Sequence, residues 1–214
     1  FSESLSSEKK RPGTSGQAAL EEVIWSRREV VRNPTFWFMV LTFGIASVGV
    51  TGLNLHVFSY VTDIGHPAVV AATVMSVIAF MQLVAPIFWG LLSERIDIRK
   101  AAMLQFLIQA TGLSLAITTN HLIPLYSGFF LYGIGLGGSM VLPDIIWASY
   151  FGRLSLGTVR GLGLLLTHSF AAVGPPFFGF LFDASGSYLL SFSLFIMALV
   201  SSAFLCLFFR PPQK

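Results

Sequence analysis

The chain has 214 residues, of which 54% are hydrophobic and only 11% are charged. A chain with so few charged residues cannot cover the surface of a soluble globular domain. The composition therefore excludes soluble globular proteins and indicates a membrane protein. The formal net charge of +3 at pH 7 would suit nucleic acid or an anionic surface as a partner, unless the cations serve to fix membrane topology.

The N-terminal residues differ in composition from the rest of the chain. The opening stretch, FSESLSSEKKRPGTSGQ, is rich in Ser, Gly and charge and has no apolar core of the kind found in signal peptides. We therefore predict a flexible, basic cytoplasmic linker over residues 1–34. Within it, residues 19–34 have the pattern of a short amphipathic helix, which would rest Trp25, Val30 and their apolar neighbours on the membrane surface. Because the first residue is Phe rather than Met, we expect the chain to be a fragment.

Six apolar runs follow, each long enough to cross a bilayer as a helix, which needs roughly 20 residues. Backbone amides must be satisfied internally in lipid, so the runs predict helices rather than open strands. The expected fold is an all-α integral membrane bundle over residues 35–209, followed by a cytoplasmic tail at 210–214. The predicted spans are 35–61, 68–92, 101–119, 123–149, 159–182 and 188–209. Only Arg160, near one end of the fifth span, interrupts them with a basic residue.

The cations determine the predicted orientation. If the six spans alternate in direction, all 13 Lys and Arg residues fall on one side of the membrane. The turns on the other side, TDIGHP, TNH and DASGSY, contain neither residue type. The positive-inside rule then places both termini in the cytoplasm, with the protein in the cell (inner or plasma) membrane. The partners expected are therefore the lipid bilayer and a small-molecule solute, and no nucleic acid.

Three stretches carry a family resemblance. They are HVFSYVTDIG at 56–65, GLLSERIDIRK at 90–100, and YFGRLSLGTVRG with GPPFFGFLFDASGSY between 150 and 188. Together they resemble the C-terminal half of the major facilitator superfamily, in its monocarboxylate-porter and oxalate:formate-antiporter branch. The resemblance covers residues 33–212. It implies helices seven to twelve of a twelve-helix fold, with a missing N-terminal six-helix half as partner and residues 1–34 as the linker between halves.

The GLLSERIDIRK turn resembles the inter-helix signature of that family. Gly90, Arg95, Arg99 and Lys100 match it, and Glu94 replaces the usual acid, whereas Asp97 stands where a second Gly is usual. The resemblance implies a gating motif, in which pairs made by Glu94 and Arg95 break as the cytoplasmic side opens. The alternative is a solvated topology signal, since surface ion pairs contribute only about 0–1 kcal/mol each. Gly90 at the head of the motif favours a close helix contact.

The few polar residues inside the spans are the candidates for substrate binding or proton coupling, because each is costly in lipid. They are His56, Asn54, Gln82, Tyr132, Asp144 and His168. Asp144 is either a proton relay or gate, or a structural acid that caps the backbone freed by Pro143. His168 either accepts a proton or holds a carboxylate, or is bonded to a neighbouring helix. Gln105 and Gln109 are expected to bridge helices.

Glycines concentrate in the first and fourth spans, which occupy corresponding positions in the two three-helix repeats expected of such transporters. Either they interrupt helices that line the pathway, or they allow close packing, as Gly133 and Gly137 would at GxxxG spacing.

The resulting hypothesis is half of a secondary transporter that works by alternating access. Its substrate would be a small organic solute, such as a monocarboxylate moved with a proton or by exchange. Some members of the branch carry an Arg in the second helix of this half, and residues 71–90 contain none. We therefore expect no permanent cation to line this half, and a neutral substrate stays open. The alternative is a self-contained six-helix channel or assembly subunit. We predict no enzyme, catalytic residue, cofactor or metal, since metalloprotease and nucleophile-elbow motifs do not occur.

Overall fold

The structure is a computed structural model that describes residues 25–212. Over these residues the chain forms helices and short turns, without strands. The elements are α1 (Arg27–Arg32), α2 (Pro34–Asp63), α3 (Ala68–Ser93), α4 (Ile98–Thr118), α5 (Leu122–Phe151), α6 (Leu156–Ser185) and α7 (Leu189–Leu205), the last extended by a 3₁₀ turn at Cys206–Phe208. Six of them, α2 to α7, are long and apolar enough to cross a membrane. This confirms the predicted all-α, six-helix fold class, while the predicted flexible segment over residues 1–24 lies outside the described residues.

Helix α1 lies within the segment predicted as a linker, and it packs on the bundle. Ser26 and Glu29 form a capping box at its start, in which each side chain accepts from the other residue's backbone N–H. Val30 is fully buried, and the Trp25 ring meets Phe151 of α5 edge-on at 5.5 Å. The expectation that Trp25 and Val30 rest on the membrane surface is therefore wrong, because protein covers them.

Three long-range hydrogen bonds show that the six spans alternate in direction. Trp25 N–H donates to Ser155 Oγ in the α5–α6 turn (2.7 Å), Thr35 Oγ1 donates to the Arg210 carbonyl (2.9 Å), and Arg99 Nη1 donates to the Phe209 carbonyl (3.3 Å). The start of α2, the start of α4, the α5–α6 turn and the end of the chain thus share one end of the bundle. Every Lys and Arg of the described range lies at or near this end, which we call the basic end.

Two helices are much less buried than their neighbours. The buried share of the most apolar stretch is 22% in α3 and 11% in α6, against 50–56% in α2, α4 and α5. Large side chains stand exposed on both, including Leu83 and Ile87 of α3 and Leu165 and Phe180 of α6. These two helices therefore carry apolar faces that this six-helix unit leaves uncovered.

Small residues set the helix contacts around α5. A methyl group built at Gly133 would lie 2.7 Å from Met81 Cβ, and one at Gly137 would lie 2.6 Å from Ala85 Cβ, both on α3. These distances are shorter than real Cβ contacts, so the packing interpretation of Gly133 and Gly137 is confirmed. Both α2 and α5 run without interruption, so their glycines do not break the helices.

The buried glutamines of α4 bridge to α5, as the sequence predicts. Gln109 Nε2 donates to Ser139 Oγ (3.0 Å), and that hydroxyl donates to Gln105 Oε1 (3.1 Å). Both glutamines are fully buried, and this hydroxyl-centred bridge satisfies one polar atom of each amide, Gln109 Nε2 and Gln105 Oε1.

Candidate functional site

A cavity of about 330 Å³ lies between α2, α5 and α6, with Phe106 of α4 at its back. Its wall is mostly apolar and includes Phe43, Val50, Leu136, Met140, Pro143 and Trp147. Among the described residues that line it, three are ionisable: Asp144, Arg160 and His168. Their convergence on one apolar cavity makes it the candidate site.

Asp144 and Arg160 form an ion pair inside this cavity, with 2.8 Å between Arg160 Nε and Asp144 Oδ1. The positions follow from the connection between the helices. The short turn between Phe151 and Leu156, in which Gly152 adopts a positive φ of 77°, reverses the chain. Asp144 lies about 10 Å before the end of α5 and Arg160 about 6 Å after the start of α6, at 1.5 Å per residue. The long Arg side chain covers the difference in depth.

The pair remains accessible, because 50% of the Arg160 side chain and 36% of the Asp144 side chain are exposed. Neither alternative stated for Asp144 named this partner. The expectation that no permanent cation lines this half is wrong, since Arg160 lines the cavity. The sequence does contain a signal for this ion pair: one acid and one Arg lie within two consecutive spans that a short turn joins.

His168 shares the cavity-facing side of α6 with Arg160. Residues 160, 164, 168 and 171 recur at intervals of three and four, so they lie along one face of the helix. His168 Nδ1 lies 2.8 Å from the Leu164 carbonyl oxygen. A carbonyl can only accept, so Nδ1 carries the hydrogen, and the neutral ring keeps its lone pair on Nε2. In the neutral form of the ring, Nε2 is thus the nitrogen left to accept a hydrogen bond on the wall of the cavity.

Hydroxyl groups of α2 fix the position of α6. Pro175 lacks an N–H, so the Ala171 carbonyl loses its normal helical donor. Thr51 Oγ1 replaces that donor at 2.6 Å, and Ser47 Oγ donates to the Thr167 carbonyl at 3.0 Å. A methyl group at Gly174 would overlap the Val48 carbonyl oxygen of α2, so the backbones touch here. This contact holds the Arg160–His168 face of α6 toward the cavity.

The other four predicted site residues lie elsewhere. His56 bonds to Tyr188 Oη at 3.2 Å and to the Pro175 carbonyl at 3.3 Å, so it joins α2 to α6 and to the start of α7. Tyr132 is fully buried beside Phe195. Asn54 and Gln82 are half-buried and do not line this cavity. Of the six predicted substrate or proton residues, the structure brings Asp144 and His168 together.

A second cavity, of about 580 Å³, lies at the end of the bundle opposite the basic end. The end of α2, the end of α4 and the α6–α7 turn line it, with Tyr60, Asp63 and Tyr188 among its polar groups. Tyr188 stacks on Phe182 with ring centroids 4.4 Å apart. Its lining contains no predicted site residue, although His56 is bonded to Tyr188 at its edge.

The turn at residues 94–97 is organised by Asp97, the residue that departs from the family signature. Asp97 Oδ1 caps α4 by accepting from Arg99 N–H (2.8 Å), and its two oxygens also accept from the Arg99 guanidinium (3.0 Å each). These hydrogen bonds hold the pKa of Asp97 below its ordinary value.

Three other residues of the signature, Glu94, Arg95 and Gly90, are expected from the sequence to make contacts. In the described range, Glu94 and Arg95 make no ion pair. A methyl group at Gly90 would meet nothing within 4 Å, so the close contact expected at Gly90 is absent from this half. The gating role of Gly90, Glu94, Arg95, Arg99 and Lys100 therefore stays a prediction.

The alternating apolar helices define a polytopic α-helical membrane protein, and comparison with known proteins identifies its family. A profile of the Major Facilitator Superfamily matches residues 63–214. The chain belongs to that superfamily.

Three relatives fit this assignment. The chain is 23% identical over 188 residues to the cyanate transport protein CynX of Escherichia coli (strain K12), covering 85% of this chain and 47% of the relative. It is 27% identical over 181 residues to monocarboxylate transporter 12-B of Danio rerio (80% and 37%). It is 27% identical over 179 residues to monocarboxylate transporter 12 of Mus musculus (81% and 37%). The chain therefore spans less than half the length of these curated relatives.

Proposed function

We propose that this chain is one half of a secondary active transporter for small organic anions such as monocarboxylates. Transport proceeds by alternating access, driven by proton symport or by exchange. The observation that supports this proposal is the candidate-site cavity between α2, α5 and α6. Its wall includes the Asp144–Arg160 ion pair and His168.

Anion binding rests on the Arg160 guanidinium. A guanidinium is always charged and donates to carboxylates in a fixed planar geometry, which suits recognition of a small anion. The cavity volume of about 330 Å³ falls in the range of small-molecule sites, and its apolar wall accommodates a short carbon skeleton. The names of the relatives mention cyanate and monocarboxylate, which are both small and singly charged.

Proton coupling rests on His168. The Nε2 lone pair of the neutral ring accepts a proton, and the resulting cation stands on the same face of α6 as Arg160. A protonated His168 strengthens anion binding in the cavity, which couples the two ligands electrostatically.

The missing partner is an N-terminal six-helix half. The exposed apolar faces of α3 and α6 are the surfaces we assign to it, because they are the least buried spans of this unit. Substrate binds between the halves, and the gating motif at residues 90–100 closes the basic end. Positive-inside topology places that end, the linker over residues 1–34 and the tail at 210–214 in the cytoplasm.

Uptake of radiolabelled pyruvate and cyanate into proteoliposomes that contain the complete gene product tests the proposal. We expect accumulation under an inward proton gradient or against preloaded pyruvate, and its loss in Arg160→Gln. The matched control is Arg153→Gln, which removes the same charge from the exposed α5–α6 turn at the same end, outside the cavity lining. Uptake that survives Arg160→Gln as well as it survives Arg153→Gln would exclude the cavity as the anion site.

A further inference from the structure

We infer that Asp144 is a built-in competitor of the substrate: its carboxylate occupies Arg160 in the empty cavity, and the carboxylate of the incoming anion displaces it. This inference rests on the proposed function and adds the fate of the Asp144–Arg160 pair to it. Two observations carry it, the 2.8 Å contact between Nε and Oδ1 and the location of both side chains on the cavity wall.

The charge balance of the cavity favours a singly charged ligand. With Asp144 on Arg160, the cavity contains one cation and one anion. A monocarboxylate adds a second anion, and the proton that the proposed function places on His168 adds the cation that balances it. An arriving monocarboxylate presents the same chemical group as Asp144, so it takes over the guanidinium without leaving Arg160 unpaired at any stage. A neutral solute offers no replacement for the carboxylate, so it gains nothing from the guanidinium and leaves the Asp144–Arg160 pair in place.

The pair is accessible enough to exchange partners. Its side chains are 50% and 36% exposed in this half, and exposed pairs of this kind shift an equilibrium by only about two- to fivefold. A small anion at millimolar concentration can therefore compete with Asp144. The same competition returns the guanidinium to Asp144 when the substrate leaves, which favours release.

A purely structural pair makes a different prediction. If Asp144–Arg160 only fastens α5 to α6, removing the carboxylate weakens the fold and either leaves the KM for the anion unchanged or raises it. If Asp144 competes with the substrate, removing the carboxylate lowers the KM, because the anion no longer has to displace it. The direction of the KM change therefore separates the two roles.

The experiment measures initial rates of radiolabelled pyruvate uptake by the complete gene product in proteoliposomes. Asp144→Asn is expected to lower the KM about two- to fivefold and also to lower the maximal rate, since release slows. Asp144→Ser provides a second variant without the carboxylate, and Asp144→Glu keeps the competitor and its KM within about twofold of wild type. Asp183→Asn is the matched control, since it removes one exposed acid from α6 outside both cavities, and its KM is unchanged.

The outcomes are distinguishable. A lowered KM in the Asn and Ser variants, with the Glu and Asp183 variants unchanged, supports the inference. Monodisperse Asp144→Asn or Asp144→Ser protein with an unchanged or raised KM overturns it and leaves the proposed function standing. Wild-type protein that accumulates no pyruvate and no cyanate overturns the proposed function and the inference with it.

Discussion

The contact between α2 and α6 at Gly174 predicts a large loss of stability for Gly174→Ala. Alanine improves helix propensity over glycine by about 1 kcal/mol. Against this, the new methyl group would overlap the Val48 carbonyl oxygen and lie 2.9 Å from the Gly52 backbone nitrogen, which are main-chain atoms and cannot rotate away. Overpacking of this kind costs about 1–3 kcal/mol.

Separating the two helices to relieve that overlap would also weaken the bonds from Thr51 and Ser47 to the carbonyls of α6. Each such hydrogen bond contributes about 0.5–1.5 kcal/mol, so the net loss is about 1–5 kcal/mol. On the scale of soluble domains of this length, that loss lowers the Tm by about 2–20 °C.

The assay is thermal unfolding in detergent, followed with a thiol-reactive dye that reports exposure of the buried Cys206. The matched control is Gly179→Ala on the same helix, where an added methyl group meets nothing within 4 Å. We expect the control to equal or exceed the wild-type Tm, since only the propensity gain applies. Equal Tm values for the Gly174 and Gly179 variants would refute the close approach of α2 and α6.

Three further predictions follow from the site and its surroundings. Replacing His168 with Leu should abolish uptake driven by a proton gradient while leaving pyruvate–pyruvate exchange measurable, and loss of neither activity would exclude it as the proton acceptor. Ser139→Ala should destabilise the protein by about 1–3 kcal/mol, because two buried amides lose their shared hydroxyl, whereas Ser127→Ala on the exposed side of α5 should have little effect on the same melting curve. The lowered pKa of Asp97 means that its bonds to Arg99 add stability above the ordinary carboxyl pKa and lose it as pH falls through the lower folded value. Asp97→Asn should therefore be less stable than wild type at neutral pH and match it in acid, as measured by melting across that range.

The fold was largely predictable because lipid imposes simple requirements on sequence. Apolar runs of sufficient length have to be helices, and the distribution of cations constrains their direction. Local signals at helix ends were also readable: Asn33 caps α2 through Thr35 N–H at 2.9 Å, with Pro34 in the first turn. Such signals involve residues close in sequence, so a single chain suffices to read them.

The candidate site was less predictable, because its geometry depends on helix rotation and depth. Asp144 and His168 are recognisable in the sequence as costly polar residues inside spans, and both line the candidate-site cavity between α2, α5 and α6. The sequence predicts Arg160 near one end of the fifth span, and periodicity alone does not show which face of α6 meets α5. His56 had the same sequence signal as His168, yet its bonds to Tyr188 and Pro175 depend on partners more than 100 residues away.

Trp25 and Val30 illustrate the same limit at the surface. Their spacing indicates an amphipathic helix but does not distinguish a lipid surface from a protein surface. The deciding partners lie four membrane spans later: Phe151 ends α5, and Ser155 belongs to the turn that follows it. Long-range partners of this kind are fixed by the assembled bundle.

The three long-range hydrogen bonds at the basic end also bear on how the molecule moves. They connect the first, third and last spans and the segment before them, so a displacement of one of these helices pulls on the others. Under the alternating access proposed above, we expect a unit restrained in this way to turn as a rigid body. The uncovered apolar faces of α3 and α6 are then the surfaces along which we expect the two proposed halves to slide.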